Sequence, residues 1–262
     1  MKIAVAFFGI PRATQQCFPS IQKKILDTLP KDAEVKVFFH LYQQSMVINK
    51  RSKENGALTN EDYAPFLDFT GKLEAPEDCL EAWDFEDIKE SGDYWNDDFA
   101  SLKNLIHQLN SLYEVTQMLK DYEPDVVLFI RPDLIYHDSF RNNCVRFSLK
   151  YPNSSFIPAW QWFRGLNDRF SICGKQSYEA YGERILNIKD YLSSVDNPLH
   201  SEDLLKFSLN KNNTLIMPLC IKASRVRIGG LIRKEKFSIF KKTGGFKSAT
   251  SLIIKKYILL FF

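Results

Sequence analysis

Asp125-Val126-Val127-Leu128-Phe129-Ile130-Arg131-Pro132-Asp133-Leu134 is the stretch on which the reading of the fold turns. The unbroken apolar run Val126 to Ile130 has the length and β-branched content of a fully buried strand. Pro132 has no N–H to give to a sheet ladder, so regular pairing is expected to weaken there and the chain to leave the sheet. Arg131 and Asp133 then stand at the carboxyl end of a core strand, with side chains on one side while the backbone stays extended. In open α/β sheets that end is where ligands bind. A guanidinium beside a carboxylate suits a nucleotide diphosphate, the cation on phosphate and the carboxylate on a metal ion or sugar hydroxyls. The competing reading is a surface ion pair that merely closes the strand.

The flanking sequence fits an α/β fold. Lys2 to Gly9 reads as a first buried strand, and residues 13–29 carry Phe18, Ile21, Ile25 and Leu29 on one helical face. Glu34 to His40 reads as a second strand, and β-α-β in that order predicts a parallel pair with a right-handed crossover. Residues 42–100 are polar and turn-rich, with short helices expected over Asp78–Trp83 and Glu86–Glu90, and read as an insertion over the sheet without a core of its own. Leu105, Leu109, Leu112 and Leu119 give a long helix that leads into the strand at Val126. Further on, Ser155 to Pro158, the stretch ending at Gly174, Thr214 to Pro218 and Ile221 to Val226 read as extended. Gln176 to Leu186 reads as helical, and a last helix opens at Leu199 to Asp203 with Ser201 as its expected N-cap.

At 45% apolar and 26% charged, the composition is that of an ordinary soluble globular chain. The net charge of +3 hides an asymmetry: residues 231–262 hold eight Lys or Arg against Glu235 alone, which leaves the first 230 residues acidic. Within that tail, Leu252 to Phe262 is too short to span a bilayer, which needs about 17–25 residues. With Lys241, Lys242, Lys247, Lys255 and Lys256 it reads as an interfacial helix on an anionic membrane surface, docking onto the protein itself being the rival. Since the basic residues gather in the tail instead of across a face, nucleic acid is not an expected partner. Five scattered cysteines without metal spacing fit a reducing compartment, and the N-terminal apolar run is too short for a leader. The expected location is cytoplasmic, peripheral at the inner face of the plasma membrane.

Six motifs in order carry a resemblance. They are Phe8-Gly9-Ile10-Pro11-Arg12, then Phe38-Phe39-His40-Leu41-Tyr42, then Gln108-Leu109-Asn110-Ser111-Leu112-Tyr113. Arg131-Pro132-Asp133-Leu134, Asn167-Asp168-Arg169-Phe170 leading to Ile172-Cys173-Gly174, and Ser201-Glu202-Asp203 complete the set. Over residues 1–228 the chain resembles bacterial GT-A-type glycosyltransferases of lipopolysaccharide and capsular polysaccharide clusters. The resemblance implies a GT-A-like (Rossmann-like), mostly parallel sheet over residues 1–230, followed by the basic tail 231–262. It also implies a nucleotide-sugar substrate and a lipid-linked or surface-polysaccharide acceptor.

Under that resemblance Arg131 and Asp133 are expected to hold the diphosphate and Gly9 and Arg12 the nucleotide, with Asp168 and Glu202 catalytic. A divalent cation, Mg²⁺ or Mn²⁺, is expected at Asp133. The usual metal motif of these enzymes is Asp-x-Asp, however, and here only the second carboxylate is present, with Arg131 able to meet phosphate directly. Asp168 lies between Trp160-Gln161-Trp162-Phe163 and Phe170, a setting that suits sugar binding, although an Asx-turn would also explain it. Glu202 and Asp203 occupy a helix first turn, where the macrodipole alone favours acids by about 0.3–1 kcal/mol each. A non-catalytic binding relative and a nucleotidyltransferase are the alternatives. Phe8 to Arg12 is a poor version of the glycine- and lysine-rich phosphate loop that the latter needs.

Overall fold

The computed structural model describes residues 1–76, 79–162 and 164–238. Strand β1 (Lys2–Gly9) leads through helix α1 (Thr14–Lys24) into β2 (Glu34–Tyr42). The hairpin β3 (Met46–Asn49) and β4 (Glu54–Ala57) follows, then α2 (Asn60–Tyr63) and β5 (Thr70–Glu74). Short helices α3 (Cys79–Ala82) and α4 (Phe85–Lys89) precede the long α5 (Ala100–Lys120). The chain re-enters the sheet as β6 (Val126–Ile130), then forms β7 (Leu134–Tyr136), α6 (Asn142–Lys150), β8 (Ser154–Pro158) and β9 (Phe170–Gly174). Helices α7 (Tyr178–Gly182), α8 (Ile188–Ser194) and α9 (Ser201–Lys211) come next, with β10 (Leu215–Leu219) and β11 (Ala223–Arg225) last.

The main sheet has seven strands in the order β10-β8-β9-β6-β1-β2-β5. β9 pairs antiparallel with both neighbours, and every other pairing in that sheet is parallel. The chain is thus α/β with a mostly parallel sheet between helices. Alternation along β1 builds both halves of the core. Ile3, Val5 and Phe7 pack with Cys17 and Ile21 of α1, whereas Ala4, Ala6 and Phe8 pack with Leu112, Val115 and Leu119 of α5. Each such large side chain contributes about 1.5–3 kcal/mol by leaving water.

Two expectations need correction. Residues 42–100 are not only an insertion over the sheet, since β5 is its edge strand, parallel to β2. Ile88 of α4 also joins a cluster with Leu102, Leu105 and Ile106 of α5, Leu199 just before α9 and Leu204 within it. Helix α9 begins at Ser201 with His200 as its N-cap and no side-chain cap bond, so Ser201 is the first helical residue instead of the cap.

The packed domain also runs past residue 230. Arg233 N donates to Arg225 O at 2.8 Å, and the Phe237 ring meets Trp160 edge-on at 5.0 Å. The interfacial helix expected over residues 252–262 lies outside the described residues. Among those described, no helix is long and apolar enough to cross a membrane.

The chain steps from β1 outward to β2 and β5, and α5 then returns it to the other side of β1 as β6. The carboxyl ends of β1 and β6 therefore flank a topological switch point, where open sheets leave a crevice. Because β9 runs the opposite way, its start, with Arg169 just before it, lies at this same edge.

Candidate active site

A cavity of about 570 Å³ opens at that switch point, within the range of small-molecule sites, about 300–1,000 Å³. Its wall takes Gly9 from the end of β1 and Arg12 from beyond it, Arg131 from beyond β6, and Asp168 and Arg169 from before β9. Lys103 of α5, Glu202 of α9, Arg51 from the hairpin, and Arg225 and Arg227 complete its charged lining, with Gln108 of α5 beside them. Seven cationic side chains thus face two carboxylates.

Asp133 is expected to touch the diphosphate; the structure instead places it behind the wall, 1% exposed. Arg131 Nε and Nη2 donate to its two oxygens at 3.0 Å each, and Arg12 Nη2 donates to Oδ2 at 2.5 Å. Burial alone would raise the Asp133 pKa, but the charges of Arg131 and Arg12 outweigh it and hold the carboxyl well below its usual range. Arg12 Nη1 also donates to both oxygens of Glu54 on β4, at 3.0 and 3.1 Å, and Arg227 Nη1 reaches Glu54 at 2.7 Å. One chain of charge-assisted bonds therefore ties β1, β6, the hairpin and the segment after β11 together. Asp133 sets the position of two guanidiniums instead of meeting ligand itself.

The divalent cation expected at Asp133 does not fit these residues. Both of the carboxylate oxygens are taken by guanidiniums, and a cation there would enter an arginine cluster. Among the described residues, no group of three or more His, Cys, Asp or Glu is arranged to hold a metal ion.

Asp168 and Glu202 do share the cavity wall. The Asx-turn bond of this loop belongs to the neighbouring Asn167, whose Oδ1 accepts from Arg169 N at 3.2 Å. Asp168 is left free to accept from Gln108 Nε2 at 3.1 Å, while Gln108 Oε1 accepts from Arg131 Nη1 at 2.7 Å. Burial would raise the Asp168 pKa, yet Arg184, Arg131 and the Gln108 bond outweigh it and keep the group ionised.

Glu202 is driven the other way. Burial, with the Asp168 charge second, pushes its pKa from the ordinary 4.5 to about 8, and its Oε2 has no hydrogen-bond partner. The helix dipole opposes this by about 1 kcal/mol at most, less than one pKa unit, so burial wins. Two nearby carboxylates with pKa values driven apart are the usual arrangement for dividing acid–base and electrostatic roles.

Gly165 fixes their spacing. Leu166 N donates to Glu202 O at 3.0 Å, and a Cβ on residue 165 would collide with the Glu202 carbonyl and the Asp203 nitrogen. Asp203 is not part of the cavity wall; it lies near Arg164 at 3.5 Å and His200 at 3.6 Å.

His40, Ser111 and Glu74 mimic a nucleophile triad without being one. His40 Nδ1 is 3.1 Å from Ser111 Oγ, and its Nε2 is 2.6 Å from Glu74. Ser111 is fully buried, and its hydroxyl donates to His40 O at 2.6 Å while accepting from Gly9 N at 2.7 Å. The cluster therefore anchors Gly9, whose φ of +102° suits glycine. Trp160, expected near sugar, is core: 1% exposed, with the Arg169 guanidinium 4.6 Å from its ring centroid.

Sequence reasoning passes over Gln108 as a site residue, along with Arg169, Arg225 and Arg227. Arg225-Val226-Arg227 carries a usable signal, since two arginines two apart in an extended segment share a face. Glu235 is harder to foresee. Its side chain is 1% exposed, 3.3 Å from Arg169 Nη2 and 3.8 Å from Arg225 Nε.

Comparison with protein-family models and with curated proteins gives no match. Among solved structures, mouse xyloside xylosyltransferase 1 in its apo form is similar over 84% of this chain and 85% of that chain, with a TM-score of 0.45 at 12% identity. A likeness that loose carries no argument about activity, and the functional reading rests on the geometry of the cavity.

Proposed function

We propose that this chain is a glycosyltransferase that moves a sugar from a nucleotide-sugar substrate to an acceptor hydroxyl. The observation that carries the reading is the joint presence, in one switch-point cavity, of an arginine-rich wall and a carboxylate pair with opposed pKa shifts. Sugar transfer has to stabilise a departing diphosphate, support a centre of oxocarbenium character and accept a proton from the attacking hydroxyl. Glu202, once ionised, takes that proton as the acceptor oxygen bonds to the anomeric carbon. The bond from that carbon to the diphosphate oxygen breaks, and its electron pair leaves with the phosphate against Arg12 and Arg131. Asp168, held ionised and oriented by Gln108, faces the sugar.

The acceptor belonging to this reading is a lipid-linked or surface-polysaccharide saccharide. The basic residues between 231 and 262 would bring the enzyme to an anionic, cytoplasmic membrane face. The resemblance of the six motifs supports that setting.

Nucleotide release from UDP-, GDP-, ADP- and CMP-sugars, with and without saccharide acceptors, tests the proposal. One sugar nucleotide should be turned over, and Glu202→Gln should slow it by about 10²–10⁴-fold, the usual worth of a general base. Nucleotides that bind while no sugar is ever released would make the chain a non-catalytic binding relative.

A further inference from the structure

We infer that the arginine cluster receives the diphosphate of the nucleotide sugar directly, with no divalent cation between them. This rests on the reading of the cavity as a nucleotide-sugar site and goes beyond it in naming what neutralises the leaving group. Arg12 and Arg169 are 8% and 6% exposed and line the cavity. Each keeps a buried nitrogen without a hydrogen-bond partner, Nε of Arg12 and Nη1 of Arg169, and so does Nε of Arg225. Buried N–H groups without partners are costly and uncommon in a folded chain. Because those nitrogens are buried, a ligand would meet the wall itself: the six arginines that line it, Arg12, Arg51, Arg131, Arg169, Arg225 and Arg227, suit an anion with several oxygens.

Charge counting leads the same way. The acids beneath the wall, Asp133, Glu54 and Glu235, are already bound to these arginines. Glu202 stays protonated through neutral pH, which leaves Asp168 as the one ionised carboxylate on the wall against its seven cationic side chains. Arg225 is the least compensated: burial, then the charges of Arg169, Arg131 and Arg227, press its pKa well below the ordinary value. A phosphate group entering here relieves the mutual repulsion of these guanidiniums.

Metal chemistry meets the opposite conditions. Magnesium binds through one or two carboxylates together with phosphate oxygens, and the one expected here is spent on Arg12 and Arg131. Guanidiniums, planar and forked, match phosphate oxygens bidentately and hold developing negative charge as metal ions do elsewhere.

Calorimetry with inorganic pyrophosphate and with UDP, GDP and ADP, in excess EDTA and separately in Mn²⁺, decides the point. Affinity for at least one diphosphate should agree within about threefold between the two conditions, and turnover of the corresponding sugar nucleotide should survive EDTA. Arg225→Gln should weaken diphosphate binding by about tenfold or more, roughly one lost charge-assisted contact. Its unfolding midpoint should be unchanged or raised, because the arginine is poorly paired without ligand.

Binding or turnover that requires Mn²⁺ or Mg²⁺ would overturn the inference and leave the transferase reading standing. No diphosphate bound under either condition would overturn the reading itself. Arg225→Gln that binds like wild type, or that loses affinity and stability together, would show that the cluster is scaffolding and not the phosphate site.

Discussion

Glu202 and Asp133 are both carboxylates at the heart of this molecule, and their surroundings give them opposite work. Glu202 has a folded-state pKa of about 8 against an ordinary 4.5. The unfolded chain therefore loses this proton near 4.5 while the native state keeps it, and between these pH values the group makes stability fall as pH rises. Glu202→Gln should remove that fall, so the variant gains on the wild type from pH 5 to pH 9 in urea unfolding at stepped pH. In kinetics, wild-type kcat/KM should climb towards about pH 8 as the base ionises, and the variant's should be low and flat. A wild-type profile with no limb between pH 6 and 9 would remove Glu202 from the role of base. Asp133 acts through position. Asp133→Ala leaves two guanidiniums, Arg12 and Arg131, without their shared buried partner, which should cost about 3–5 kcal/mol in denaturant unfolding. A cost under about 1 kcal/mol would mean that those arginines find other partners.

At the scale of elements, the spacing between the Asp168 loop and the start of α9 sets the geometry of the carboxylate pair. Gly165 permits backbone contact there, with Leu166 N bonded to Glu202 O. Gly165→Ala should push the loop away, at about 1–3 kcal/mol of stability. Turnover should fall further, towards 10²-fold, because a shift near 1 Å between reacting groups has that effect. Full activity in this variant, alongside a stability loss, would separate the contact from catalysis. The hairpin β3–β4 is pinned in the same manner, through Glu54, whose carboxylate takes bonds from Arg12, Arg227, Ser52 and Ile228 N.

Across the whole molecule, one cavity concentrates positive charge in a chain whose first 230 residues are net acidic. Low-dielectric walls focus that field on an incoming anion. Raising the salt from about 50 mM to about 300 mM should increase KM for the sugar nucleotide several-fold with little change in kcat, since screening weakens the encounter and not the enclosed chemistry. An unchanged KM would mean that the arginines are neutralised before ligand arrives.

The sequence by itself determined the elements whose causes are local. The apolar runs of β1, β2 and β6 and the leucine spacing of α5 follow from side-chain periodicity within a few residues. The pairing of Arg131 with Asp133 follows from their two-residue spacing. Gly9 and Arg12, Asp168 and Glu202 could be named from sequence because each stands at the end or start of a legible element. Only the tertiary structure decided what those residues meet. Arg12 meets Asp133 across 121 positions, and Arg227 meets Glu54 across 173. Whether a carboxylate is ionised, paired or free depends on the water it has lost and the charges within a few ångströms. Segments far apart in the chain supply both, so no local pattern could show that Asp133 is spent on arginines while Glu202 keeps its proton.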